Sequence, residues 1–287
     1  MVNHKAGQLR RLARTALTAA ATLGAILSLN TPVAGADQPD ADRYLGVWNY
    51  DQPDNSTGTN IAVIQLPGAP FKVPQIGTMT FSRDDNGGVV GRSDQGCTWH
   101  FAVGATGLDL TSKTQYCFNK VIGSGYSIAT WHVEIRGDKE TETIHATSYN
   151  NGGSYPFILE KGTRTKAVTG SVGNTNKLFA GTWTFDPSDP ATRLNILQPS
   201  GVAKTGSITF SAGADGVLRA RTGDGCQWRL AAAGNTAELT PATQKCGSQT
   251  MSFWAIASDG RHEFVVMSGI DAQGNSYLLT VGTLTRS

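Results

Sequence analysis

One segment of the chain is written twice, with a cysteine at each end. GCTWHFAVGATGLDLTSKTQYC begins at Gly96, GCQWRLAAAGNTAELTPATQKC begins at Gly225, and eight of the 21 positions from cysteine to cysteine are identical. Self-similarity of this extent indicates a tandem duplication, so any fold for this chain must be built from two equivalent units. The six tryptophans follow the same repeat as three pairs: Trp48 with Trp183, Trp99 with Trp228, and Trp131 with Trp254.

The repeat divides the chain into five parts. Residues 1–36 are predicted to be an export signal that is cleaved, and residues 37–43 an N-terminal tail. The two copies span residues 44–162 and 178–287. Between them, residues 163–177 are polar, rich in Gly, Thr and Asn, and without an apolar period, which is typical of a flexible linker.

The first residues have the order of a secretory signal peptide. A basic start without acidic residues leads into an apolar run from Ala16 to Leu29, and Ala34-Gly35-Ala36 offers a cleavage site. The run is too short for a membrane span and is interrupted by Thr and Ser. No cysteine lies at the cleavage site, which disfavours a bacterial lipoprotein anchor, and the Arg10-Arg11 pair leaves both Sec and twin-arginine export open. We therefore expect a secreted, periplasmic or cell-envelope location.

Removing this leader changes the charge balance. The chain has 24 basic and 22 acidic residues, and the leader holds four of the basic ones, which leaves 20 against 22. No cluster of Lys and Arg remains to attract nucleic acid or an anionic membrane, so neither is expected as a partner, and stable membrane insertion is not expected either.

Apolar residues alternate with polar ones along both copies. Cys97, Trp99, Phe101 and Val103 follow this period of two, and turn signals rich in Gly, Asn and Asp recur roughly every 8–12 residues. The pattern predicts an all-β fold of about eight antiparallel strands per copy. Such a set of strands closes into a small barrel or a two-sheet sandwich, since either arrangement protects the strand edges.

The four cysteines are expected to form one disulfide in each copy. If each copy descends from a unit that folded alone, the bridges are Cys97–Cys117 and Cys226–Cys246, and export favours their oxidation. A metal site is the rival interpretation, but no histidine is shared between the copies, and two cysteines alone do not hold zinc. Redox catalysis is disfavoured because a C-x-x-C motif is absent. No metal or cofactor is predicted.

The remaining candidates for catalysis are histidines and paired carboxylates. Each histidine occurs in one copy only and is interpreted as a surface residue. Asp51-x-x-Asp54 and Asp186-x-x-Asp189 occur in both copies, where calcium binding or glycosidase chemistry competes with a turn that uses the carboxylates to bind backbone amides. The turn is favoured, and no catalytic residue is assigned.

Aromatic and polar positions kept in both copies are candidates for the wall of a ligand pocket. The alternative is that the tryptophans fill the barrel, because eight strands leave room for little more than side chains. The candidates are Trp99, Gln115, Trp131 and Tyr155 in the first copy, and Trp228, Gln244, Trp254 and Tyr277 in the second.

Each copy opens with the order G-x-W, as Gly46 and Trp48 in DRYLGVW and as Gly181 and Trp183 in KLFAGTW. This opening resembles that of calycin-type barrels, which include lipocalins and avidins. The resemblance implies an up-and-down antiparallel barrel in which the G-x-W tryptophan closes one end, while the other end binds a small apolar or amphipathic ligand. Each copy departs from a typical lipocalin in being shorter and in lacking its C-terminal helix.

The size, single disulfide and G-x-W opening of each copy are also similar to secreted bacterial metalloprotease inhibitors, whose N-terminal tail plugs a protease. Here residues 37–43 could take that part. The sequence thus favours an exported binding protein without catalytic activity, whose partner is a small apolar molecule, an envelope component or an extracellular protein. The alternatives are a secreted protease inhibitor and a hydrolase based on carboxylates.

Overall fold

The structure, a computed structural model, describes residues 40–112, 114–119, 124–150, 152–167, 172–213 and 215–287. The predicted signal peptide and residues 37–39 of the predicted tail lie outside the described residues. In the described part of the chain, no helix combines the length and the apolar character needed to cross a lipid bilayer.

The first copy forms a closed antiparallel barrel, called barrel 1 below, which follows a short 3-10 helix at Ala41–Tyr44. Its strands are β1 (Gly46–Tyr50), β2 (Ile61–Ile64), β3 (Phe71–Pro74), β4 (Thr78–Arg83), β5 (Val89–Ser93), β6 (Thr98–Val103), β7 (Leu108–Leu110), β8 (Gln115–Asn119), β9 (Ser124–Arg136), β10 (Lys139–Asn150) and β11 (Gly153–Lys166). The closed path runs β1-β4-β5-β6-β7-β9-β10-β11 and returns to β1. Eight strands thus close the barrel, while β2, β3 and β8 pair alongside it.

The second copy, barrel 2, repeats this topology after helix α1 (Val172–Phe179). Its strands are β12 (Gly181–Phe185), β13 (Ser207–Ala212), β14 (Leu218–Thr222), β15 (Gln227–Ala233), β16 (Thr236–Leu239), β17 (Gln244–Cys246), β18 (Gln249–Ser258), β19 (His262–Ile270) and β20 (Ser276–Arg286). All except β17 form the closed ring, which the β16–β18 pairing completes. The predicted all-β fold of two tandem up-and-down barrels is confirmed.

Both G-x-W tryptophans make the same contacts. The indole Nε1 of Trp48 donates to the carbonyl oxygen of Tyr44 at 2.7 Å, and Trp183 donates to Phe179 at 2.7 Å. Gly46 has φ +118° and Gly181 has φ +131°, a conformation that side chains rarely adopt, so glycine is required where each chain turns into its barrel. Each tryptophan is therefore tied to the helical turn that precedes its barrel, at the place where the G-x-W resemblance expects a closed end.

Both predicted disulfides are present, with Cα–Cα distances of 5.8 Å for Cys97–Cys117 and 5.7 Å for Cys226–Cys246. Each bridge ties the segment just before a ring strand to a short strand, β8 or β17, that pairs outside the ring with β9 or β18. The disulfide thus holds a strap of chain against the barrel wall.

The residues predicted to form a flexible linker, 163–177, are structured at both ends. Residues 163–166 complete β11, because this short polar run pairs with β1 on one side and β10 on the other and buries Arg164 between them. Residues 172–179 form α1, whose last carbonyl accepts the Trp183 indole bond. Residues 168–171 lie outside the described part of the chain.

The two barrels belong to one compact unit, residues 39–287. Ile76 of barrel 1 packs against a buried apolar face of barrel 2 that includes Ala255, Ala257 and Val266. Two reciprocal amide bonds flank this contact. Asn49 donates to the carbonyl of Ala233 at 2.7 Å, and Asn235 donates to the carbonyl of Tyr50 at 2.9 Å.

Candidate ligand cavity

A cavity of about 840 Å³ opens into barrel 1. Tyr50 lines it, but Trp48, two residues earlier on the same strand, does not, so the cavity lies toward the end of the barrel away from the G-x-W helix. Its inner wall is apolar and includes Trp99, Ile128 and Ile144. The volume lies within the range of about 300–1,000 Å³ that is usual for sites of small molecules.

A hairpin and the second barrel extend the wall of this cavity. Strand β2 replaces β1 as the neighbour of β11 toward the cavity end, and the β2–β3 hairpin contributes Ile64 and Phe71. Barrel 2 contributes residues of its outer face, and none of its core: Arg193, Gln198, Pro199, Val266, Leu278 and Thr280. The site is therefore a barrel mouth completed by the neighbouring barrel.

The interior of barrel 2 is filled at the corresponding place. The strand registers place Met251 and Met267 where barrel 1 has Ile128 and Ile144. Both methionines are buried beside Trp254, which is itself fully buried. Methionine is long and flexible and fits irregular gaps, which suits it to these core positions of barrel 2.

A fully buried arginine lies in the core of barrel 1. The guanidinium of Arg164 donates to Glu140, to Glu142 and, at 2.9 Å, to the hydroxyl of Tyr50. The Tyr50 hydroxyl in turn donates to Glu142 at 2.8 Å, and the Trp131 indole donates to Glu142 at 2.6 Å. Tyr50 and Trp131 also line the cavity, so their hydrogen bonds connect the Arg164 cluster to the cavity wall.

Burial dominates the proton equilibria of this cluster. It raises the pKa of Glu140 to about 8, although Arg164 opposes the shift, and it raises the pKa of Tyr50 well above the ordinary value. Glu140 therefore keeps its proton to a higher pH than an ordinary glutamate does. Barrel 2 replaces Tyr50, Glu142 and Arg164 by apolar residues, which the strand registers identify as Phe185, Val265 and Leu284.

A pair of carboxyl groups lies where barrel 2 meets the cavity wall. Asp94, in the turn after β5, lines the cavity and faces Glu238 of β16. Burial raises the pKa of Asp94 well above its ordinary value, with the facing Glu238 as the next cause, and burial raises the pKa of Glu238 too. Burial and the facing acid therefore favour the protonated form of Asp94, and burial favours that of Glu238.

Three of the predicted pocket residues line this cavity: Trp99, Trp131 and Tyr155. Gln115 does not, because its amide bonds both the N–H and the C=O of His100, each at 2.8 Å. Gln244 makes the same two bonds to Arg229. Each glutamine side chain thus bonds the backbone of a ring strand as a neighbouring strand would, which explains why both copies keep it.

The predicted pocket residues of barrel 2 lie elsewhere. Trp228 and Trp254 are buried in the filled core, and the Tyr277 hydroxyl contacts the Met251 sulfur at 3.3 Å. We therefore leave them, with Gln244, out of the proposed site. The strand registers also show that Tyr277 of barrel 2 is equivalent in position to Phe157 of barrel 1, not to Tyr155.

Asp54 and Asp189 are turn residues, as expected, whereas Asp51 and Asp186 each accept a side-chain hydrogen bond from a threonine of the final strand of their barrel, Thr165 and Thr285. Asp54 accepts bonds from Ser56 and Thr57, which hold its pKa at about 2, and Asp189 accepts bonds from Ala191 and Thr192. Among the described residues, no three His, Cys, Asp or Glu side chains are grouped so as to share a metal ion.

Sequence reasoning missed the polar groups of the cavity because they occur in one copy only. Asp94 corresponds to Gly223, and Arg164 corresponds to Leu284. A usable signal was nevertheless present. In KETETIHA, Glu140 and Glu142 share the inward period with Ile144, and a charge at an inward position requires a buried partner.

No protein-family model matches the sequence, and no curated protein matches it. Among solved structures, a protein of unknown function from the DUF3598 family of Nostoc punctiforme PCC 73102 aligns at 10% identity and TM-score 0.28, covering 85% of this chain and 97% of its own. A protein of Bacteroides fragilis NCTC 9343, provisionally described as an outer membrane protein, aligns at 6% identity and TM-score 0.27, covering 86% and 98%. Similarity at this level carries no argument, so the barrel assignment rests on the strand pairing alone.

Proposed function

We propose that the chain is an exported binding protein without catalytic activity that holds a small, largely apolar molecule in the cavity of barrel 1. The observation that carries the proposal is the difference between the two copies. Barrel 1 keeps a cavity of about 840 Å³, whereas barrel 2 buries Met251 and Met267 in its core at the corresponding place and contributes outer residues to the wall of that cavity. Duplication followed by loss of one cavity leaves one copy for binding and one for support.

Two further features agree with this role. The predicted leader sends the chain to an oxidising compartment, and both cysteine pairs form disulfides, which persist there. The G-x-W opening with its indole bond to the preceding helix resembles the closed end of lipocalin-type barrels, and the cavity lies at the other end. The ligand would enter through the mouth bordered by the β2–β3 hairpin.

Mass spectrometry of organic extracts from the natively purified protein tests for a bound ligand. A calorimetric titration with 1-decanol, a neutral apolar probe, then locates the site. Ile144→Trp should weaken binding at least about tenfold, because the larger side chain projects into the cavity. Thr143→Trp, on the outer face of the same strand, is the matched control and should leave the affinity unchanged. Equal affinity of both variants would place the ligand outside the barrel.

A further inference from the structure

Resting on the proposed function, we infer that the ligand is an organic cation: an apolar body that carries a protonated or quaternary nitrogen. The nitrogen would lie against the Asp94–Glu238 carboxyl pair, and the apolar body would extend into barrel 1 along Trp99 and Ile128. This assignment rests on the position of Asp94 in the cavity wall with Glu238 facing it, on the absence of an ion pair to either acid among the described residues, and on the aromatic rings beside them.

The position of Asp94 is set by the backbone. The amide of Thr78 donates to its Oδ2 at 3.3 Å, and the carboxylate occupies the space above Gly77, where a Cβ would come within 1.9 Å of it. Gly77 also has φ +99°. A glycine is therefore required here both by its conformation and by the acid above it, and the carboxylate is held at the cavity wall.

Glu238 reaches the same place from barrel 2. Its side chain contacts Thr78 and Asp94, both of which line the cavity, and its Oε1 is buried without a hydrogen-bond partner in the described part of the chain. The side-chain ion pairs between described residues include neither Asp94 nor Glu238. Both acids are half-buried, and because they face each other without a cation, their ionised forms repel; a ligand cation would relieve this repulsion.

Aromatic rings adjoin the acids. The ring centroids of Trp99 and Tyr126 are 5.5 Å apart, and both residues line the cavity. Tyr126 is near enough to Asp94 for the carboxylate to act on its phenol: burial first, and Asp94 next, raise its pKa. Carboxylates together with the faces of Trp and Tyr are the groups that attract an ammonium ion out of water.

The opposite charge is also present at the mouth, but in a weaker setting. Arg193 lines the cavity from barrel 2, with its guanidinium 4.7 Å from the centroid of the Phe71 ring. Its side chain is exposed to solvent, so an anion would gain little by binding there. The Arg164 cluster, in contrast, already holds its own carboxylates and needs no charge from a ligand.

Three probes with the same ten-carbon chain separate these possibilities: n-decylamine, 1-decanol and decanoate, titrated calorimetrically at pH 7. The amine should bind at least about tenfold more tightly than the alcohol, and decanoate most weakly. In the double variant Asp94→Asn, Glu238→Gln, the preference for the amine should fall below about twofold, while affinity for the alcohol stays the same. Asp85→Asn, an exposed acid in the turn after β4, is the charge-matched control and should keep the full preference.

Each other outcome contradicts a definite statement. Equal binding of amine and alcohol by the unaltered protein, or tightest binding of decanoate, would overturn the cation assignment and leave the proposed function standing. Failure of all three probes would contradict the proposed function itself. If the double variant loses the alcohol as well, Glu238→Gln alone decides, since it leaves the side chains that line the cavity unaltered; an unchanged amine preference there would overturn the role of the pair.

Discussion

At the scale of single residues, the two copies differ most where barrel 1 buries charge. Arg164 is fully buried with Glu140 and Glu142, and the tyrosine and tryptophan that bond this cluster also line the cavity. Barrel 2 shows that the fold does not require Arg164 or Glu142, because Leu284 and Val265 occupy their positions, whereas the position of Glu140 keeps a buried glutamate, Glu263. Buried ion pairs often add little net stability over an apolar core, so their presence in the binding copy alone fits a role in shaping the site.

Replacing Arg164 alone should lower the free energy of unfolding much more than replacing Arg164 together with Tyr50 and Glu142. Arg164→Leu leaves two acids buried without their cation and should lower the free energy of unfolding by about 3–5 kcal/mol. The triple exchange Tyr50→Phe, Glu142→Val, Arg164→Leu recreates the residues of barrel 2 and should recover most of this loss. Denaturant unfolding followed by fluorescence measures both variants. If the Arg164→Leu variant were as stable as the triple variant, the contributions of Arg164, Glu142 and Tyr50 to stability would not be coupled.

The protonation of Glu140 predicts a pH dependence. Burial raises its folded-state pKa to about 8 from an ordinary value of 4.5. The folded state therefore binds the proton more tightly than the unfolded chain, so this contribution is fully present below pH 4.5 and is lost as the pH rises to about 8. Glu140→Gln mimics the protonated acid. It should match the unaltered protein at pH 5 and become relatively more stable toward pH 8. Parallel stability curves for the two proteins would contradict the assignment.

Repetition predicted which residues matter to the scaffold, and much less well which residues bind. Gln115 and Gln244 are kept because each completes a β-ladder through its amide. Asn60 and Asn195 are a similar pair that sequence reasoning missed: both are fully buried at positive φ and bond backbone groups of the final strand. The groups proposed to select the ligand, Asp94 among them, occur in one copy only, so comparing the two copies does not identify them.

At the scale of elements, the period of two predicted the strands, and the duplication predicted both disulfides. It could not predict the β2–β3 hairpin as part of the cavity, because barrel 2 has only isolated bridges in that segment, such as Ile196 with Ala203. The polar composition of residues 163–177 predicted a flexible linker, which is wrong for residues 163–166. The polar run there is a strand because both of its neighbours supply hydrogen bonds, and local sequence does not contain that information.

The two disulfide straps allow a comparison within one molecule. Each bridge closes a loop with a sequence separation of 20, so its removal should cost about 3 kcal/mol by the loop-entropy relation. The double variants Cys97→Ser, Cys117→Ser and Cys226→Ser, Cys246→Ser should therefore lose similar free energies of unfolding.

Their effects on ligand affinity should differ. The first bridge adjoins the cavity, because the Tyr126 hydroxyl contacts the Cys97 sulfur at 3.3 Å, whereas the second lies in the filled barrel. Only the first double variant should weaken binding of the probe that the unaltered protein binds best, as measured by calorimetry. Equal weakening by both would mean that the loss reflects general destabilisation.

At the scale of the whole molecule, the two copies contribute differently to the cavity. The copy with the cavity needs the other copy, because barrel 2 supplies part of the cavity wall and Glu238 of the acid pair. The sequence indicated two units and left their arrangement open. The contact depends on residues such as Ile76 of barrel 1, whose side chain packs against the outer face of barrel 2. The alternation of apolar and polar residues within one copy does not indicate such a contact.

Separating the two barrels should therefore abolish binding without unfolding either one. Ala257→Glu, at a buried position outside the cavity wall, places a charge in the apolar contact with Ile76 and Val266, and no basic residue belongs to this cluster. We expect the single unfolding transition to divide into two, since each barrel keeps its own core and disulfide, and we expect the affinity for the ligand to fall at least about tenfold. Calorimetric unfolding and titration measure the two effects.

Val47→Glu is the control for this substitution, since it adds the same charge at an exposed apolar position of barrel 1. It should leave one transition and full affinity, because Val47 lies in neither the cavity wall nor the contact between the barrels. If Ala257→Glu kept full affinity while its two transitions separated, barrel 1 would bind alone. The wall contributed by barrel 2 and the acid pair across the contact would then have no part in recognition.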